Sequence, residues 1–262
     1  MTRKIQVQNF KGGVGKTTTS INLAHGLARK GNKVLLIDLD HQGNATSGLG
    51  YKMNTDDPTL FHILKDEIPY KRATFEVRPN LFLIPSNATT AVAELHLNSL
   101  AARELQLREK FADVEEFDFV ILDCPASLNL LHSNALLYSD ELLLPISPEK
   151  WAYDGARQIL ESAERLAKYF GAKPQLLGAL PTKVDRRLGI TEEVLKLLKF
   201  TFGDKVLSHI RTDANLHHSQ KNSQTIYDYA PNSKGAKDYD VLVDYVEKFG
   251  KKSSRKVKKG DL

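Results

Sequence analysis

The stretch at residues 10–18, FKGGVGKTT, limits what this chain can fold into more than any other feature. Three glycines, two lysines and two threonine hydroxyls within nine residues describe a backbone cradle for nucleotide phosphates. The general pattern is Gly-x-x-x-x-Gly-Lys-[Ser/Thr]; Gly15, Lys16 and Thr17 fill its second half, whereas Phe10 stands where the first glycine belongs. Lys11, Gly12 and Gly13 replace it, and the glycines leave the loop around Val14 free to take positive φ and aim N–H groups inward. A helix starting near Thr17 adds its N-terminal N–H groups and dipole. Lys16 then reaches the β- and γ-phosphates, Thr17 ligates Mg²⁺ and Thr18 bonds the α-phosphate. An ordinary glycine-rich turn would not call for these groups at these offsets after a strand.

The segments around the loop alternate in period. Residues 5–9 read as a strand feeding the loop, and further strands are expected at 33–39, 81–85, 117–123, 141–146, 175–181 and 206–210. Apolar faces predict helices over 17–30, 59–65, 90–111, 129–138, 152–170, 190–202 and 239–249. Residues 41–50, rich in Gly, Asn and Ser, are expected as a loop at the C-terminal end of a buried strand, where α/β ligand sites lie. This βαβ spacing predicts an α/β fold: a single doubly wound, mostly parallel sheet with helices on both faces. Residues 1–250 are expected to form that one domain, and 251–262 a basic, disordered tail.

Composition excludes several classes. One cysteine, Cys124, rules out an internal disulfide framework and an all-cysteine metal site within one subunit. The start of the chain reads as a strand without a leader, and no window approaches a membrane span, so a cytoplasmic protein is expected. The net charge of +5 is local. Residues 248–262 carry seven basic side chains and Asp261; taking these from the 37 basic and 32 acidic residues leaves a body with one net negative charge.

Three aspartates, Asp38, Asp40 and Asp123, sit at or just past the ends of apolar strands, where a carboxylate has no packing role and is costly without a partner. Magnesium and a γ-phosphate would supply one. Asp123 suits the acidic end of a Walker B strand that holds Mg²⁺ through water, or alternatively a cap on the next helix. The histidines, including His217 and His218, show no metal-ligand spacing.

A lysine one residue before the double glycine makes the loop resemble the deviant Walker A box of the ParA/MinD family of ATPases. Within that family the ParA branch, which partitions chromosomes and plasmids, is similar at 33–50 (KVLLIDLDHQGNATSGLG), 117–128 (FDFVILDCPASL) and 149–155 (EKWAYDG). The resemblance implies ATP and Mg²⁺ as cofactors and a homodimer formed on ATP binding, in which Lys11 reaches the partner's nucleotide like an arginine finger. It makes Asp38 a second magnesium-side carboxylate and Asp40 the residue that orients and activates the attacking water. Lys11, Lys16 and Asp40 are thus the catalytic set. Glu149 resembles a residue near the dimer's nucleotide interface, or caps a helix, and Asp185 in TKVD is placed on the adenine side. Where the family usually has proline after the second aspartate, this chain has His41, which loosens the loop and puts the hydrolysis rate in doubt.

The resemblance further implies slow ATP hydrolysis stimulated by a centromere-binding or adaptor partner, nonspecific DNA binding by the dimer, and a nucleoid-associated location. Its DNA contacts come from basic residues of the C-terminal half; Asn215 stands where one is frequent, so the expected contacts here are Arg186, Arg187, Lys221, Lys234, Lys237, Lys251, Lys252, Arg255 and Lys256. Two other readings compete: positioning a protein assembly over the nucleoid with the same motor, and a MinD-like membrane-surface ATPase. The second needs an amphipathic C-terminal helix, and 251–262 lacks the apolar face. A repressor with vestigial ATPase is disfavoured because no helix-turn-helix extension precedes the loop.

Overall fold

The structure, a computed structural model, describes residues 1–149, 152–171 and 174–257, with side chains described for 153–171 and up to 249 in the last two stretches. Strands β1 (Arg3–Val7), β2 (Val34–Asp38), β3 (Phe75–Arg78), β4 (Leu81–Ile84), β5 (Phe119–Asp123), β6 (Glu141–Ile146) and β7 (Gln175–Pro181) form one sheet in the order β3-β4-β2-β5-β1-β6-β7. Every pairing is parallel except β3 with β4. The helices are α1 (Lys16–Arg29), α2 (Asn44–Gly48), α3 (Leu60–Leu64), α4 (Thr89–Leu97), α5 (Gln106–Lys110), α6 (Leu130–Tyr138), α7 (Ala152–Phe170), α8 (Gly189–Phe202), α9 (Ala214–Lys221), α10 (Ile226–Tyr229) and α11 (Lys234–Val257).

The unbroken apolar runs have a plain cause. Successive strand residues point to opposite faces, and both faces are covered. Leu36, Ile121 and Ile5 join Leu23 and Leu27 of α1 and Tyr239 and Val243 of α11 in one cluster. Leu35, Ile37, Val120 and Leu122 join the opposite cluster with Leu60, Ala93, Leu107 and Ala135 of α3 to α6. The doubly wound, mostly parallel sheet is therefore as expected. The strand order reverses around β1, which puts the loop after it at the sheet's switch point.

Several expectations are corrected. The helix read over 90–111 is broken: Asn98 Nδ2 donates to Glu94 O and Ser99 Oγ to His96 O, diverting side chains onto helix carbonyls, and Ala102 takes positive φ before the chain turns into α5. The loop at 41–50 contains α2, seeded where Thr46 N and Oγ1 both donate to the Asp38 carboxylate. Residues 206–210 make one isolated bridge to β7, Val206 with Ala179, and Leu207 packs over Gly178. The edge strand β3 was not foreseen from sequence. Its four residues, FEVR, alternate apolar and polar over a run short enough to pass unnoticed, and they pair with β4.

The last helix runs from Lys234 to Val257, so helical backbone continues where a disordered tail was expected from 251. Extending a packed helix avoids the cost of nucleating a new one, and basic residues at a helix C-terminus favour its dipole. Residues 258–262, and the side chains of Lys251, Lys252, Arg255 and Lys256, lie outside the described residues.

Candidate nucleotide site

The loop after β1 folds as its glycines allow. Gly13 (φ 76°) and Gly15 (φ 87°) are left-handed, which a side chain would strain, whereas Gly12 is not in that region. Phe10 fills its non-glycine place by turning into the core: it packs in the cluster between α6, α7 and β6 and meets His132 edge-on, with ring centroids 4.8 Å apart. Val14 is fully buried, and its carbonyl accepts a hydrogen bond from Thr182 Oγ1 at 2.7 Å, tying the loop to the end of β7.

The loop opens into a cavity of about 870 Å³ lined by Gly12, Gly13, Gly15, Lys16, Thr17, Thr18 and Asp40, with Thr182, Lys183 and the segment 210–217 on the far wall. Lys16 is buried in it, and among the described residues its Nζ donates only a long bond, 3.4 Å, to Lys11 O. Burial pulls this ammonium below the usual lysine range, against the opposing charges of Asp123 and Asp40. The cradle thus holds an underused cation over the place where phosphates would sit.

The two strand-end carboxylates are neighbours. Asp38 and Asp123 face each other in the β2–β5 register, and both are fully buried. Burial pushes both acids up, and the charge of Asp123 pushes Asp38 further. Thr17 Oγ1 donates to Asp123 Oδ2 at 2.9 Å and Ser20 Oγ to Asp123 Oδ1 at 2.7 Å, while Asp38 takes both Thr46 donors at 2.8 Å and Asp40 N at 3.1 Å. Thr17 keeps its lone pairs for a cation. A hard divalent ion fits this donor set, because it would relieve two buried, repelling carboxylates beside a hydroxyl. Among the described residues no cluster of three His, Cys, Asp or Glu side chains could cage a metal alone. That suits magnesium, which keeps waters and takes substrate phosphates as ligands.

Asp40 lines the cavity; its Oδ1 accepts from Gln42 N at 3.0 Å and lies 3.6 Å from His41 Nδ1. Lys11 is not among the lining residues. Its amide donates to Asn9 Oδ1 at 2.9 Å, and no bond of its Nζ is recorded among the described residues. Asp185 is not brought to the cavity either: Arg187 takes its carboxylate through Nε (2.8 Å) and Nη2 (2.5 Å), which holds that acid down at about 2. Lys183 and Thr182 occupy the wall where Asp185 was expected, because the carboxylate has a nearer cation in its own turn. Glu149 is exposed, next to residues outside those described.

Of the expected DNA contacts, Arg186, Lys221, Lys234 and Lys237 are exposed, whereas Arg187 is paired as above. Asn9, Ser20, Thr46 and Gln220 were not anticipated. Asn9 was the most findable, as a polar residue ending a buried strand just before a phosphate loop.

Gly155 of α7 supports the loop from behind. A Cβ there would lie 2.3 Å from Asn9 Oδ1 and 3.1 Å from Lys11 N. Gly155→Ala is therefore expected to displace Asn9 and the loop, lowering thermal stability by about 1–3 kcal/mol and weakening nucleotide binding. Calorimetry and a melting curve matching wild type would show that the loop does not depend on this contact.

Fold and site together define a P-loop ATPase of the deviant Walker A type. A family model described as an AAA domain matches residues 2–176. The sporulation initiation inhibitor protein Soj of Bacillus subtilis is 37% identical over 256 residues, covering 95% of this chain and 100% of that protein. The chromosome partitioning protein ParA of Caulobacter vibrioides is 37% identical over 208 residues, 78% of each. A solved structure of cobyrinic acid a,c-diamide synthase from Mycobacterium smegmatis, with bound ADP and magnesium, superposes with a TM-score of 0.83 at 31% identity over 96% of both chains. The chain belongs to the ParA family.

Proposed function

We propose that this protein binds ATP with Mg²⁺, forms an ATP-sandwich homodimer that holds DNA without sequence preference, and leaves DNA when a centromere-binding or adaptor partner stimulates its slow hydrolysis, so segregating plasmid or chromosomal DNA. The observation that carries this reading is the placing of Lys11. Its amide is pinned by Asn9 while the residue stays off the wall of its own cavity, as a group meant for another chain's phosphates would be.

In this reading the loop amides and Lys16 bind the phosphates, and Thr17, Asp38 and Asp123 hold magnesium, which neutralises charge on the phosphate oxygens when bound. Asp40 orients water and accepts its proton, and the partner's copy of Lys11 faces the γ-phosphate. The protein would work in the cytoplasm, on the nucleoid. No helix among the described residues is long and apolar enough to cross a membrane.

DNA titrations with the ATP-locked and ADP forms test the reading. Only the ATP form should bind tightly. Deleting residues 251–262, which removes six basic residues, should weaken binding and flatten its log–log salt slope, by at most roughly 5 per subunit if all six met phosphate. Replacing Arg186 and Arg187 together should weaken it further. Equal binding by a monomeric ADP form would refute the sandwich-dimer reading, and an undiminished slope in the truncated dimer would confine the footprint to the folded body. A pull-down with the ATP-locked protein names the cargo, whether DNA-bound or a protein assembly.

A further inference from the structure

The phosphate-loop helix grips a second part of the molecule. Thr18, Asn22 and His25 recur at helical spacing on one side of α1, and each holds the segment that follows β7 and its loop. Gln220 Nε2 donates to Thr18 Oγ1 at 2.7 Å, Ile226 N donates to Asn22 Oδ1 at 2.8 Å, and His25 Nδ1 meets Thr225 Oγ1 at 2.7 Å. Asn22 and His25 are buried, so their bonds are fixed parts of the fold. Thr18 differs, because it lines the cavity, and so does Gln220.

Helix α9, whose Leu216 packs against the core, is also tied by side-chain hydrogen bonds at both ends. At its start Asp213 accepts Asn215 N and Gly235 N, both at 2.9 Å, which ties it to the first turn of α11. At its end Gln220 ties it to the hydroxyl assigned to the α-phosphate. Between and beside these anchors His217, His218 and Lys221 are exposed.

A hydroxyl donates once and accepts twice. Gln220 occupies one acceptor position of Thr18, and no described residue is recorded as taking the hydroxyl proton. A phosphate oxygen at the start of α1 would take it, completing a chain from amide to hydroxyl to phosphate in which each bond polarises the next. We propose that Gln220 is a positioning residue that senses nucleotide: through Thr18 it reads occupancy of the α-phosphate position, and it fixes α9, so that bound nucleotide stiffens the exposed face carrying His217, His218 and Lys221. The inference rests on the phosphate-site reading, and the experiment separates the two.

Hydrogen exchange is measured on the full chain with and without MgADP. In the wild type, nucleotide should slow the amides of the phosphate loop and of α9 alike. Gln220→Met keeps the length and volume of the side chain but has no donor. It should keep the slowing in the loop and lose about fivefold of that in α9, the worth of one hydrogen bond. Gln220→Asn retains the amide one methylene short of Thr18 and should behave as the Met variant does. Slowing of α9 in both variants equal to wild type would overturn the proposal, as would a wild-type α9 that ignores nucleotide while the loop responds. A wild-type loop that shows no slowing would overturn the phosphate-site reading itself.

Discussion

Lys16→Ala should lose ATP affinity by about 10²–10⁴-fold while keeping its fold. The ammonium is buried, its pKa is pulled down by that burial, and among the described residues its only hydrogen bond is the 3.4 Å contact to Lys11 O, which leaves donors for phosphate oxygens. Two charge-assisted bonds to phosphate oxygens at about 1.5–3 kcal/mol each give about 3–6 kcal/mol, which sets the range. The folded state should feel the loss too, though less, since Lys16 also offsets the Asp123 and Asp40 charges. Isothermal calorimetry reads the affinity and a melting curve confirms the fold. Affinity within threefold of wild type, roughly 0.7 kcal/mol, would mean that the loop does not cradle phosphate.

How much of this was legible in the sequence depends on the range of the interactions involved. The phosphate loop and the buried strands were readable because backbone demands are local: Gly13 and Gly15 take the positive φ their positions need, and 33–39 reads as apolar because β2 is covered on both faces. That Asp38 and Asp123 each end a buried strand was readable, whereas their facing each other in the β2–β5 register was not. What stayed hidden is held from a distance. Residues 41–50 look like loop until the Asp38 carboxylate gathers Thr46 and starts α2. Asp185 looked available until its own neighbour Arg187 claimed it. Thr18 and Gln220 are 202 residues apart, so no local pattern joins them. Asn22 and His25 did carry a signal, being polar residues at i+4 and i+7 from Thr18 beside the apolar Ile21, Leu23, Ala24, Leu27 and Ala28.

Asp40→Ala should leave ATP bound and cut turnover about 10²–10⁴-fold, the usual worth of a positioned general base. Its carboxylate is placed for that work: Oδ1 is held by Gln42 N in a tight turn, and no partner of Oδ2 is recorded among the described residues. The same variant tests where Lys11 acts. Lys11→Ala alone should spare binding by a monomer and depress ATP-dependent dimerisation or turnover, and mixing it with Asp40→Ala gives a result that depends on geometry. If Lys11 reaches across the two-fold axis, each mixed dimer has one site with its own Asp40 and the partner's Lys11, and one site with neither. Random pairing then restores about a quarter of wild-type turnover, because about half the dimers are mixed and half their sites are whole. If Lys11 serves its own cavity, each site in the mixed dimer lacks one of the two residues and nothing is regained. Steady-state phosphate release from the mixture, compared with each variant alone, decides between these. The Lys11 placing argues for the crossing, since the residue is pinned by Asn9 and stays off the wall that Lys16 occupies.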